Sequence, residues 1–189
     1  MKKLLFVLFT LGLTGSLSLG VFQTAVVQAK TEKTLILEVA QDSRTIARNR
    51  VDPNAVATAR GDVALINGNI YPEDTIPPGF NGTFDPDAVP GIGTWRCLIA
   101  ILAEPPLIGA VTYYFSLAHE DDSGESMLIV QGLNSHLGQD SVPRILAIVG
   151  GTGEFGGATG EVREEVIGTN MTGAFNLRYE FRLKKQAPK

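Results

Sequence analysis

Glu38 is the residue best set to do chemistry, because its carboxylate stands inside the apolar run Thr34-Leu35-Ile36-Leu37-Glu38-Val39-Ala40. A carboxylate there costs free energy unless it meets water or a partner. Facing an apolar cavity, its pKa rises and it can donate a proton or anchor a ligand. Facing outward, it pairs with an arginine across the sheet. The single thiol, Cys97, shares an alternating face with Trp95, Ile99 and Ile101. In such company a cysteine is commonly a small apolar filler, and no base near it in sequence marks it as a thiolate. Tyr113 and Tyr114 fall on opposite faces of one run, so one of them points inward. With Trp95 it would give an aromatic wall with a polar handle, suited to a lipid or phenolic ligand. Arg96 and Arg163 can hold a carboxylate or make surface ion pairs. Glu164 and Glu165 face opposite sides of their run, one of them beside Val162 and Val166. His119 and His136 lack metal-ligand spacing, so no metal site is expected.

A second chemical possibility lies in the segment RILAIVGGTGEFGGATGE, where Gly151, Gly153 and Gly156 satisfy G-x-G-x-x-G after an apolar run. A dinucleotide site needs a helix opening at the third glycine, so that its N-terminus faces a pyrophosphate. Here Gly156, Gly157, Gly160 and Gly168 follow in quick succession, with no apolar residues at three- and four-residue spacing. Only 33 residues remain after Gly156, too few for the rest of a doubly wound sheet. The glycines read instead as a turn between two strands, and no cofactor is expected.

The N-terminus begins Met-Lys-Lys, continues apolar from Leu4 to Val27, and reaches Val27-Gln28-Ala29 before Lys30. This resembles a secretory signal cleaved after Ala29, with an uncleaved anchor as the alternative. Cleavage would leave residues 30–189 as one domain, secreted or periplasmic, with no stable membrane insertion. It would also remove Lys2 and Lys3, so that 14 Lys and Arg stand against 20 Asp and Glu and the formal charge moves from −4 to −6. An acidic domain is a poor partner for nucleic acid. With one cysteine, no intrachain disulfide is available, and stability must come from packing and sheet hydrogen bonds.

The elements that would position these residues are strands. Runs of strand length recur over 34–41, 62–71, 93–103, 110–119, 126–133, 144–149, 160–167 and 174–183, and none shows helical periodicity. The last alternates most cleanly, with Phe175, Leu177, Tyr179, Phe181 and Leu183 against Asn176, Arg178, Glu180, Arg182 and Lys184. One face is therefore buried and one wet. The fourth run joins the fifth through an acidic turn over 120–125, which predicts a hairpin. Residues 96–102 and 128–130 are apolar on both faces, so part of the outside should be covered, most simply by another subunit. Residues 43–60 and 71–90 read as irregular: either rims over a barrel mouth or plain surface loops and crossovers. Eight strands predict an all-β barrel or sandwich.

The turn Gly150-Gly151-Thr152-Gly153-Glu154-Phe155-Gly156-Gly157-Ala158-Thr159-Gly160 resembles the signature shared by plant allene oxide cyclases and dirigent proteins. Further matches occur in the same order along the chain. Arg60-Gly61-Asp62-Val63 through Ile70-Tyr71 resembles the second strand of the cyclases. Gly91 to Cys97 resembles their glycine-rich strand ending in cysteine, and Ile129-Val130-Gln131-Gly132 their Val-Gln-Gly strand.

The resemblance implies a calycin-type eight-stranded antiparallel barrel with an apolar cavity, commonly trimeric. It implies capture of a small hydrophobic lipid or phenolic molecule, whose cyclisation or isomerisation is steered by shape and exclusion of water. In the cyclase pattern Glu38 falls on the pocket glutamate and Cys97 on the pocket cysteine. Ala40 replaces an asparagine, Gly68 between Asn67 and Asn69 replaces another, Asn134 replaces a tyrosine, and Ala47 a proline. The candidate catalytic residue is thus Glu38, with Trp95, Cys97, Tyr113, Asn67, Gln131 and Asn134 as candidate ligand contacts. A non-catalytic binding or structural barrel is the alternative.

Overall fold

The computed structural model describes residues 32–54, 57–103, 108–118, 125–134 and 143–184. The proposed signal at 1–29, both histidines and most of the acidic turn at 120–125 lie outside the described residues. Nine strands are present among the described residues: β1 Glu32–Asn49, β2 Val63–Pro72, β3 Gly79–Phe84, β4 Gly93–Ala103, β5 Ile108–Ala118, β6 Glu125–Asn134, β7 Arg144–Gly151, β8 Thr159–Asn170 and β9 Phe175–Lys184. Eight of them pair antiparallel in the order β8-β7-β6-β5-β4-β2-β1-β9, and β9 returns to β8, which closes the barrel. Closure removes the unpaired edges that an open sheet would expose.

The expected strands all form, and two segments read as irregular contain more structure. Residues 43–49 continue β1 beyond a bulge between Asp42 and Ala47. Side chains satisfy the backbone where the ladder breaks: Asp42 Oδ1 accepts from the Arg44 N–H, and Thr45 Oγ1 accepts from the Asn67 N–H. Bulges bend a strand and increase its twist, and this one sets residues 46–48 across one barrel mouth. In the second segment, β3 adds in parallel to the C-terminal half of β8. A Cβ on Gly168 would strike the Gly79 carbonyl oxygen, so the close approach of these strands depends on a glycine there.

β3 and the chain leading into it cover part of the barrel's outer face. Beneath them lies a small second core of Ala40, Tyr71, Ile76 and Phe84. The main core lies inside the barrel, where Trp95, Tyr113, Phe115, Tyr179 and Phe181 pack as an aromatic column. Phe115 meets Tyr179 at 4.9 Å and Phe181 at 5.0 Å between ring centroids, both edge-on. Edge-to-face pairs contribute about 0.5–1.5 kcal/mol each beyond their buried area.

The glycine-dense turn closes one end of this core. After Gly150 and Gly151 the chain makes a single 3₁₀ turn, Gly153–Phe155, and then enters β8. Gly153 and Gly157 have φ of +59° and +71°, values that disfavour any residue with a Cβ. The turn is tied down by Thr152 N–H to Met127 O and Glu154 N–H to Ser126 Oγ. Phe155 and Ala158 are thereby buried against the barrel interior. No helix opens after the glycines, so the dinucleotide geometry is absent. Phe155→Ala should cost about 3–5 kcal/mol, the range for truncating a buried phenylalanine. Urea unfolding followed by tryptophan fluorescence checks this, and an unchanged midpoint would show that Phe155 is not the plug.

Candidate functional site

Each inward-facing set is fixed by ladder register, because partners directly opposite share a face. Ile66 opposes Cys97, and Cys97 opposes Tyr113. Gly109 opposes Asn134, Arg144 opposes Glu164, and Glu164 opposes Tyr179. At the end opposite Phe155 these side chains leave a cavity of about 200 Å³. Its walls are Ile66, Ile99, Val166, Phe175 and Leu177, with Cys97, Tyr113, Asn134 and Arg144 supplying polar atoms. Gln41, Ile46 and Arg48, from the bulged part of β1, stand at the mouth.

The polar groups are mostly neutral. Burial pushes the Cys97 thiol up to about 12, with the Arg144 charge acting weakly in the opposite direction. Burial likewise raises the Tyr113 phenol, and raises Tyr179 further. At neutral pH the wall therefore offers a thiol and phenols, able to donate hydrogen bonds but not to act as nucleophiles. The charged groups are Arg48 at the mouth and Arg144 on the wall, whose guanidinium bonds Glu164 behind it. The Glu164 side chain is 0% exposed and that of Arg144 is 19% exposed. Glu164 Oε2, Tyr179 OH and Trp95 Nε1 are buried with no hydrogen-bond partner among the described residues. The floor below the cavity thus holds unused donors and an unused acceptor, groups that are costly to leave unpaired.

Of the residues expected at the site, Cys97, Tyr113 and Asn134 line the cavity, and Trp95 lies one rung deeper, fully buried. Gln131 points outward and donates to Thr112 Oγ1. Asn67 also points outward, into a separate hollow of about 240 Å³ shared with Asn69, Thr94 and Arg96. Glu38 does not face the cavity. It shares the outer face of β1 with Ala40, fully buried under the chain that leads into β3. There its Oε2 accepts from the Ile76 N–H at 2.7 Å, and its Oε1 accepts from Arg178, directly opposite on β9, at 2.7 Å. The outward, arginine-paired geometry is the one that forms, and it makes Glu38 a clasp for the crossover. The inward carboxylate is Glu164, and the inward cation is Arg144. Arg144 was not singled out as a site residue, although its parity with Leu146 and Ile148 would have placed it inside.

No protein-family model matches the chain, and no curated protein matches it in sequence. Solved structures do match in fold. A pterocarpan synthase dirigent protein superposes with a TM-score of 0.60 at 17% identity, over 85% of this chain and 90% of that one. A pyocyanin demethylase superposes with a TM-score of 0.55 at 17% identity, over 80% of this chain and 100% of that one. A nonspecific heme-binding cyclase of neoabyssomicin biosynthesis superposes with a TM-score of 0.54 at 14% identity, over 84% of this chain and 68% of that one. The chain therefore has the barrel fold of dirigent proteins and these enzymes.

The environment of Cys97 has a direct chemical consequence. A thiol moved from its ordinary 9.0 to about 12 carries about a thousandfold less thiolate at pH 8. Iodoacetamide should modify native Cys97 slower than the urea-unfolded chain by a factor of that order. A rate within about tenfold of the unfolded chain would show an exposed or activated thiol. The same shift makes folding favourable relative to ionisation up to about pH 9, and this contribution is lost as pH rises toward about 12.

Proposed function

We propose that the barrel captures a small, largely apolar molecule, of lipid or phenolic type, and steers its cyclisation or isomerisation. The observation that carries this reading is the cavity at the open end, apolar on most sides, with Tyr113, Cys97 and Arg144 converging on it. Confinement holds a flexible substrate near its reactive shape and removes the entropy of reaching it. Tyr113 and Arg144, the latter with its charge already met by Glu164, would donate hydrogen bonds to a neutral oxygen of the ligand. Neither step needs a nucleophile, which suits a wall of protonated groups. The structural neighbours support the reading at a coarse level, since they include a pterocarpan synthase and a cyclase for a (4 + 2) cycloaddition. Binding without turnover is the rival reading, and it draws on the buried carboxylate Glu164 being already engaged by Arg144.

The N-terminal apolar stretch supports export to a secreted or periplasmic location. The outer face supports assembly with further copies of the chain: Leu65 lies opposite Leu98 there, and Leu133 and Ile145 are each 62% exposed. Exposed apolar clusters of this kind are typical of interfaces. Sedimentation should show an oligomer that Leu133→Glu with Ile145→Glu dissociates. A monomeric parent protein would rule out this part of the reading.

The ligand itself is tested by extracting the purified protein with organic solvent and identifying what is released by mass spectrometry. An apolar molecule of one ring or a short chain is expected, and Leu177→Trp, which fills the cavity, should abolish it. Glu38→Gln should retain the ligand while losing about 1–3 kcal/mol of stability through its weakened bonds to Ile76 and Arg178. If the wild-type protein releases no ligand and binds none added to it, the proposed function fails.

A further inference from the structure

Among the described residues, two arginines and no carboxylate line the cavity. The two cations are not equivalent. Arg144 sits at the inner wall with its charge met by Glu164. Arg48 sits at the mouth, beyond the β1 bulge, and makes no hydrogen bond or ion pair with any described residue. Described acidic residues on either side of it in the chain, and Asp62 just before β2, are engaged elsewhere, Asp52 by the Asn54 N–H. Asp42 is held by Arg44, and Asp62 accepts from the backbone N–H groups of Ala59 and Val51.

We infer that the ligand is a small amphiphile with one anionic group, a carboxylate or its equivalent, and that Arg48 selects it. This rests on the cavity-binding reading above. The apolar body lies between Ile66, Ile99, Val166 and Leu177, and the anionic end stays at the mouth against Arg48, with Gln41 beside it as a second donor. The orientation follows from the charges. Placed at Arg144, a second anion would share one guanidinium with Glu164 and leave a buried net negative charge, which is costly. Placed at Arg48, the anion keeps water on one side and meets a cation with no other partner among the described residues. Size sets the body, since a cavity of about 150 Å³ accommodates benzene. About 200 Å³ therefore suits one ring with a short tail, or a chain of similar bulk. Any neutral oxygen on that body would be left for Tyr113.

The test uses isosteric acid and amide pairs, trans-cinnamate against cinnamamide and octanoate against octanamide, titrated into the full-length mature protein by calorimetry. At least one acid should bind about tenfold more tightly than its amide, the value of one charge-assisted hydrogen bond. Arg48→Gln should bring acid and amide within about twofold of each other, and Arg48→Lys should retain part of the preference. Arg96→Gln, on the outer face, should leave the preference intact. Raising salt should weaken the acid alone. If an amide binds as tightly as its acid, and Leu177→Trp removes both, the cavity reading stands and the selection by Arg48 is overturned. If none of the four probes binds, both are overturned.

Discussion

Closure of the sheet through the β8–β9 ladder is the constraint on which the interior depends. In an open sheet an edge strand can slip by one residue, and such a slip turns every side chain to the other face. Here each barrel strand is held by a neighbour on both sides, from Thr159↔Lys184 to Thr169↔Phe175 at the closing seam. A one-residue slip of β8 would bring Arg163 and Glu165 inside and send Val162 and Glu164 out. Slipped one way, β8 would set Arg163 opposite Arg144, two cations side by side; slipped the other way, it would set Arg163 opposite Leu146 in the apolar interior. The polar character of the cavity is therefore a property of the register as much as of the residues.

Closure also fixes how much space there is to divide. An eight-stranded barrel has an interior that side chains can fill or that can hold one small ligand, and this chain does some of each. The aromatic column from Trp95 to Phe181 fills the middle, and the turn bearing Phe155 stops one end. Smaller residues at the other end, Ala64, Cys97 and Val166 among them, leave the cavity. Steepening the taper with large residues at one end and small ones at the other makes a shallow site, a geometry that selects by length and thickness. The bulge in β1 completes it by bending residues 46–48 over the opening.

Much of this was legible in the sequence because alternation is visible wherever one face is buried and the other is wet. β9 shows it best, and its inward residues all lie in or against the main core. Legibility failed at Glu38 for a physical reason. The second core under the crossover buries the outer face of β1 as well, so Leu37, Glu38, Val39 and Ala40 are all buried and the period-two signal is erased. The strand that causes this, β3, lies among prolines and glycines that read as loop, and it forms because it has β8 to pair with. Asn67 and Gln131 were misplaced for the opposite reason. They stand beside residues that do line the interior, Ile66 and Val130, but on the other parity.

The pair of Glu164 with Arg144 is best understood through what it does to the cavity. A buried ion pair contributes little net stability, since desolvating both charges offsets most of their attraction. It does fix the guanidinium in place and cancel its charge locally. Arg144 can then donate hydrogen bonds to a ligand without demanding an anion deep in the barrel, where one would be hardest to solvate. Arg48, with no ion pair among the described residues, is left at the mouth, where water shares the work of solvation. In the proposed reading the two arginines would divide recognition by depth, the deeper, partly buried one meeting neutral polar atoms and the one at the surface meeting charge.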